Sequence, residues 1–408
     1  MLTYAGNIDS LVADADSDIG HIAVNSSGDV FSVTRAGDAW VSKHDSSAVE
    51  QWRIATPVTG DAYLAPASDG GLYIAGLNSG NNTQVNVVKY DGDGAQVWSR
   101  NVTTSSGTVE LMGLDVLSGS PDEAVVVIGK VANGSGADLT LGSEIPGVTV
   151  PSGHAEYLAF FDASTGLPEL VDANYRGAAA STVRGFTSVD ARPNGSGAWW
   201  VAVGGGANAN SDATVSCFRF TYDPSATPPL VEDFSCVNTD YAQDVVLTSD
   251  GGVIAATYGG NSTTVAIVKF DDTGAYSWYA EIVTDTYSPF PANSRGLEVD
   301  TSDNVYVAAR RVGNSTTITA NAIETTVPTP DSSPNGLLLS LSGSNGGLNW
   351  TRTVGSAAST KASTVAVSGT TVYLGTSAKA MMQFDAYREK YTWKPAVFKF
   401  DSSGVSHK

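Results

Sequence analysis

The sequence predicts an all-β chain in which one four-stranded antiparallel meander is repeated seven times around a common axis. Three observations carry that expectation. The first is a recurring phrase: an apolar strand, an Asp/Gly turn and a second strand opened by Trp. It stands at Val87–Trp98, again at Val268–Trp278 and Val41–Trp52, and in degenerate form at 160–166, 339–350 and 398–404. The second is a hairpin ahead of each phrase, as at Asp69-Gly70-Gly71, Asp250-Gly251-Gly252 and Ser302-Asp303-Asn304. Tight Gly/Asn/Asp turns between β-branched and aromatic runs are strong short-range hairpin signals. The third is length, because 408 residues exceed one ordinary core and a recurring unit points to a modular array.

The strands of each unit follow in a fixed order. A short apolar strand comes first, as at Ile22–Val24, Leu114–Val116, Asp244–Val246 and Leu297–Val299. Small residues suit an innermost strand, where sheets crowd towards an axis. The strand opened by Trp comes last and suits the wider radius, so Trp52, Trp98, Trp278 and Trp350 are expected between sheets. Four-stranded sheets packed face to face around an axis make a β-propeller. Blades are expected near 20–56, 61–104, 110–177, 181–237, 240–284, 293–355 and 361–408, within a single domain spanning 1–408. Only Val405–Lys408 follow the last turn, too few for a full strand, so the strand-like run in residues 1–8 is expected to complete the last blade.

The units resemble the bacterial β-propeller repeat (SBBP-type) family and are more distantly similar to quinoprotein-type repeats ending Asp-x-x-x-Gly-x-x-x-Trp. The third unit carries the resemblance best, in Leu139-Thr140-Leu141-Gly142 followed by 153–166. The resemblance covers nearly the whole chain. It implies blades, and a role as a surface, adhesion or scaffold module, rather than a particular activity.

Composition narrows the classes. A formal charge of −20 opposes binding to nucleic-acid phosphates, which needs clustered Lys and Arg, and marks an acidic, solvated surface. With 42% hydrophobic residues, no apolar run reaches the roughly 18 needed for a membrane span. Residues 1–7 lack the basic and apolar regions of a secretory leader. Cys217 and Cys236 would face each other if their strands form a hairpin turning near Ala226-Thr227, which makes a cross-strand disulfide geometrically possible; a reducing cytosol would leave two buried thiols.

Chemistry is sparse. His21, His44, His154 and His407 each stand alone, without metal-pair spacing, and read as exposed loop or strand residues. Gly204-Gly205-Gly206 opens no helix and reads as a loop. Asp14, Asp16 and Asp18 alternate ahead of Gly20 and form the candidate calcium site, since carboxylate oxygens suit a hard cation. Asp91–Gly94 reads as turn chemistry, and the Asn-x-Ser/Thr triplets as turn composition rather than glycan acceptors. A quinone-dependent dehydrogenase would need a charged axial pocket, and no basic cluster marks one. No catalytic residue and no organic cofactor are expected.

Binding is therefore expected to lie in loops and insertions. Tyr287 and Phe290 lie in a Pro-rich connection, and Met381, Met382, Phe384 and Tyr387 lie on a segment, 378–391, that suits a short helix. These observations favour a structural or attachment module of a larger assembly, such as a phage tail or fibre component in a virion contacting other proteins or a host surface. The alternative is a carbohydrate- or protein-binding propeller, secreted or on a bacterial surface.

Overall fold

The computed structural model describes residues 19–407 except 176–183, 259–262, 285–294, 329–334, 390–393 and other connecting stretches of two or three residues. The described residues form strands and turns without a helix, so no helix is long and apolar enough to cross a membrane. Strand pairing is antiparallel throughout the described sheets. The predicted segments 1–8 and Asp14, Asp16 and Asp18 lie outside the described residues. The chain divides into two compact units, one of Met1–Ala36, Val41–Arg53 and Thr248–Lys408, the other of Gly37–Trp40 and Ile54–Leu247.

In the second unit, the chain from Ile54 runs into a meander with Leu72–Asn78, Asn81–Tyr90 and Gln96–Thr104. A second sheet runs Thr108–Leu117, Ala124–Gly134, Gly153–Asp162 and Pro168–Tyr175 in spatial order. A third follows as Arg184–Pro193, Trp199–Ala209, Ala213–Tyr222 and Leu230–Asn238. One core holds Tyr73, Val87 and Trp98 against Val127, Tyr157 and Phe161. The next holds Ile128 and Phe160 against Phe186, Val203 and Phe220. Because the middle sheet is covered on both faces, Val125–Ile128 is buried at every residue, where a half-exposed strand would alternate. The first strands are also stitched by carboxylates. Asp115 Oδ2 accepts the Ala191 N–H at 2.8 Å, and Asp190 Oδ2 accepts the Leu247 N–H at 2.7 Å.

In the first unit, Val253–Tyr258, Thr264–Phe270 and Tyr276–Thr284 are neighbours in one sheet. Leu297–Val299, Val305–Arg311, Asn335–Leu341 and Leu348–Ser356 form the next, and Thr360–Ser368, Thr371–Ala378, Lys394–Asp401 and Ser406–His407 the last. The short strand at 406–407 pairs with Lys399 and Phe400. The earliest described strands pack on this last sheet: Ile22 and Val30 share a core with Ala366, Tyr373 and Val397. Ser368 Oγ also donates to the Asn25 carbonyl at 2.9 Å.

Three expectations are corrected. The insertions after the second strand of three units form hairpins laid on the preceding sheet. Asp138–Leu141 pairs with Gln96–Thr104, Ser315–Ala320 with Tyr276–Thr284, and Met382–Phe384 with Leu348–Ser356. Sheets therefore grow beyond four strands, and the donated strands cover edges whose backbone groups would otherwise be open. The third hairpin also replaces the short helix expected over 378–391, because the edge of Leu348–Ser356 offers the backbone partners that a helix would have had to supply internally. Gly204-Gly205-Gly206 is strand, not loop; a Cβ on Gly204 would stand 3.0 Å from Val245 Cγ1, so close packing explains the glycine there. His21 and His44 are buried, at 2% and 3% exposure, rather than exposed.

Candidate functional site

The most elaborate side-chain constellation is a clasp between consecutive sheets, built around the turn Asp162–Gly166. Asp162 shapes the turn, its Oδ1 accepting the Thr165 N–H at 2.7 Å and the Ser164 hydroxyl at 2.8 Å. Partial burial pushes its carboxyl up, but these hydrogen bonds outweigh that and hold it below the usual carboxylate value. The turned-out Ala163 carbonyl receives three donors: Trp98 Nε1 at 3.0 Å, the Tyr73 hydroxyl at 3.2 Å and Lys89 Nζ at 3.3 Å. Lys89 also pairs with Asp69 at 2.9 Å and lies 5.3 Å from the Tyr73 ring centroid. Gly166, at φ 68°, lies against the Trp98 ring, where a Cβ would come within 2.6 Å.

The clasp recurs with its Trp, Lys, carbonyl and Gly offset by 180 residues and its Asp by 181. Trp278 Nε1 and Lys269 Nζ donate to the Gly343 carbonyl at 3.0 and 3.3 Å, and Gly346, also at φ 68°, lies under the Trp278 ring. Lys269 pairs with Asp250 at 3.5 Å. A third version joins Trp350 Nε1 to the Ser402 carbonyl at 2.8 Å, with Gly404 against the ring and Arg352 Nε donating to the Gly404 carbonyl at 2.7 Å.

A serine–carboxylate contact beside each of the first two clasps has the outward look of an activated nucleophile. Ser68 donates its N–H and hydroxyl to Glu123, and Lys89 sits on the neighbouring Asp69. At the equivalent place Ser249 donates its N–H at 2.8 Å and its hydroxyl at 2.6 Å to Asp303. In both, the carboxylate caps a Ser-Asp-Gly-Gly turn through backbone and side chain together. Partial burial raises the Asp69 and Asp250 carboxyls. It is outweighed at Asp69 by hydrogen bonds from Lys89 and Gly71, and at Asp250 by those from Thr248 and Gly252 and the Lys269 charge, so both lie below the ordinary value.

Of the other sequence-predicted residues, Cys217 and Cys236 lie opposite one another in register, buried and joined in a disulfide with a Cα–Cα distance of 4.9 Å. Met382 and Phe384 lie on the donated strand, opposite Ser356 and Val354, and Tyr387 lies on its hairpin partner. Tyr287, Phe290 and Met381 lie outside the described residues. Among the described residues no cluster of three His, Cys, Asp or Glu could hold a metal ion.

Sequence reading missed one surface feature. Tyr276 and Tyr279 are 59% and 50% exposed, with ring centroids 6.5 Å apart at an interplanar angle of 44°. The available signal was positional: 180 residues earlier the same strand carries Gln96 and Ser99 around an equivalent Trp.

No family model matches the chain, and no curated protein does. Among solved structures the chain is similar to the Dos1 propeller, at 11% identity and TM-score 0.47 over 92% of this chain and 78% of that one. An α-L-arabinanase from Penicillium chrysogenum, complexed with arabinobiose, aligns at 12% identity and TM-score 0.46 over 72% of this chain and 90% of its own. A europium-containing methanol dehydrogenase aligns at 10% identity and TM-score 0.46 over 96% of this chain and 83% of its own. At this level of likeness none of them carries an activity or a ligand over to this chain.

Proposed function

We propose that the chain is a non-catalytic attachment module of a larger assembly, a phage tail or fibre component that contacts partner proteins or a host surface. In this reading it folds as a seven-bladed β-propeller whose residues 1–8 complete the last blade. The observation that supports the non-catalytic reading is recurrence. The Trp–Lys–carbonyl clasp and the Ser–carboxylate cap occur in the same form at Trp98 and Trp278, and at Ser68 and Ser249. A packing joint has reason to recur at every sheet boundary, whereas a reacting constellation needs to be built once. Propeller closure is supported by the packing of Ile22 and Val30 on Ala366 and Val397, which brings the chain's first described sheet onto its last. Mass spectrometry of purified phage particles tests the assignment: the chain is expected among the virion proteins, and its recovery solely from a bacterial surface fraction would overturn it.

The buried Cys217–Cys236 disulfide favours a second reading, a secreted or surface-exposed bacterial binding propeller, because reducing cytosol disfavours such bonds. Alkylation of the native source under denaturing, non-reducing conditions separates the two: a chain that matures in the cytosol would label at both thiols, and a disulfide-bonded chain would label only after reduction.

A further inference from the structure

We propose that Tyr276 and Tyr279 form a platform for a neutral pyranose unit of a glycan; this names the ligand class of the attachment role and rests on that reading. The first ground is the internal duplicate. The strand Gln96–Thr104 makes the same clasp through Trp98 with Gln96 and Ser99 where this strand has the two tyrosines, so neither ring is needed for the joint. Two half-exposed rings in contact with each other, at positions the joint leaves free, are available as a contact surface.

The second ground is what stands beside them. Residues two apart on a strand point to the same face, so Glu281 follows Tyr279 on its face, about 7 Å along the strand. The donated hairpin continues this row, pairing Glu281 with Thr319 and Thr319 with Glu324. The next row pairs Val283, Thr317 and Thr326. Glu324 and Thr326 are exposed, and Glu281, Thr317 and Thr319 are partly so. The surface is thus an aromatic pair bordered by carboxylates and hydroxyls.

A pyranose matches both parts. Its C–H face meets the negative face of a tyrosine ring, and its hydroxyls donate charge-assisted hydrogen bonds to carboxylates. An anionic ligand is opposed by Glu281, Glu324 and the net charge of −20. A protein partner needs about 800 Å² on each side, whereas one tyrosine offers roughly 150–250 Å². Two rings are the size of a sugar.

Affinity electrophoresis of the full chain, through native gels containing a mannan, a xylan or a neutral β-glucan, tests the platform. Retardation in at least one gel is expected. The double variant Tyr276→Ala/Tyr279→Ala should bind about tenfold or more weakly at an unchanged melting temperature, in keeping with the loss of two aromatic contacts. Tyr279→Phe, which keeps the ring, should stay close to the parent. The proposal is overturned if no gel retards the chain, if the double variant runs like the parent, or if polylysine binds the chain and the glycans do not. Particle or surface association that persists in a parent unable to bind any of these glycans would refute the platform and leave the attachment reading standing.

Discussion

The joint at Trp98 and the joint at Trp278 are one device built twice, and the comparison separates what packing requires from what it leaves free. Both have the indole and a lysine donating to one turned-out carbonyl, a glycine under the ring and a lysine–aspartate pair behind. They differ at the margins. Tyr73 adds a third donor at Ala163, where the second joint has Ile254 at the corresponding place in its sheet and no hydroxyl to offer. The rim of the first carries Gln96 and Ser99, and that of the second Tyr276 and Tyr279. Shared features are the ones a joint cannot lose; variable features are available to function.

The largest effect expected from this equivalence is on the tryptophans. Trp98→Ala and Trp278→Ala should each cost about 3–5 kcal/mol, the usual range for removing a buried Trp, as read from urea melts. Values differing by more than about twofold would break the equivalence. Gly166→Ala and Gly346→Ala come next, at roughly 1–3 kcal/mol each, because a Cβ must both tolerate a left-handed φ and displace an indole ring. If either glycine accepts alanine at no cost to the melting temperature, the ring is not seated on it.

A smaller effect should appear in acid. Asp69 and Asp250 are held below the ordinary carboxylate value of 3.8, so their contribution to stability is complete above that pH and is lost as pH falls through the depressed folded values. Melting temperature should therefore drop below about pH 4. Lys89→Met and Lys269→Met should each flatten that drop slightly, because without the cation the carboxyl returns towards its unfolded value. The effect should be larger at Lys89, whose ion pair is 2.9 Å against 3.5 Å. An equal or larger flattening in Lys269→Met would contradict that ordering.

The turns were legible in the sequence because their causes are local. Asp91 and Asp271 each accept backbone N–H groups two and four residues ahead, and no distant residue is needed to close such a loop. The tryptophans were legible as packing residues, but not their partners, since the carbonyl that each one meets lies 52 or 65 residues further on. The donated hairpins were hidden for the same reason. Ser315–Ala320 alternates plainly enough for a strand, yet nothing in it names Tyr276–Thr284 as the neighbour. In the 378–391 segment, Met, Phe and Tyr suited a helical stripe as well as a strand, and an open sheet edge decided the matter. His21 and His44 were misjudged because polarity was read without the two-sided burial of their strands. Burial lowers the value of His44, with Arg53 adding to that and Glu50 opposing it.

Exchange of the indole N–H protons with solvent deuterium, followed by NMR, tests the shared joint most directly. Trp98 and Trp278 each donate to a carbonyl at 3.0 Å from a buried position. Both signals should persist long after exposed indoles have exchanged, and with comparable protection. Prompt loss of either one would contradict the account, because a joint that opens freely to water cannot be what holds consecutive sheets together.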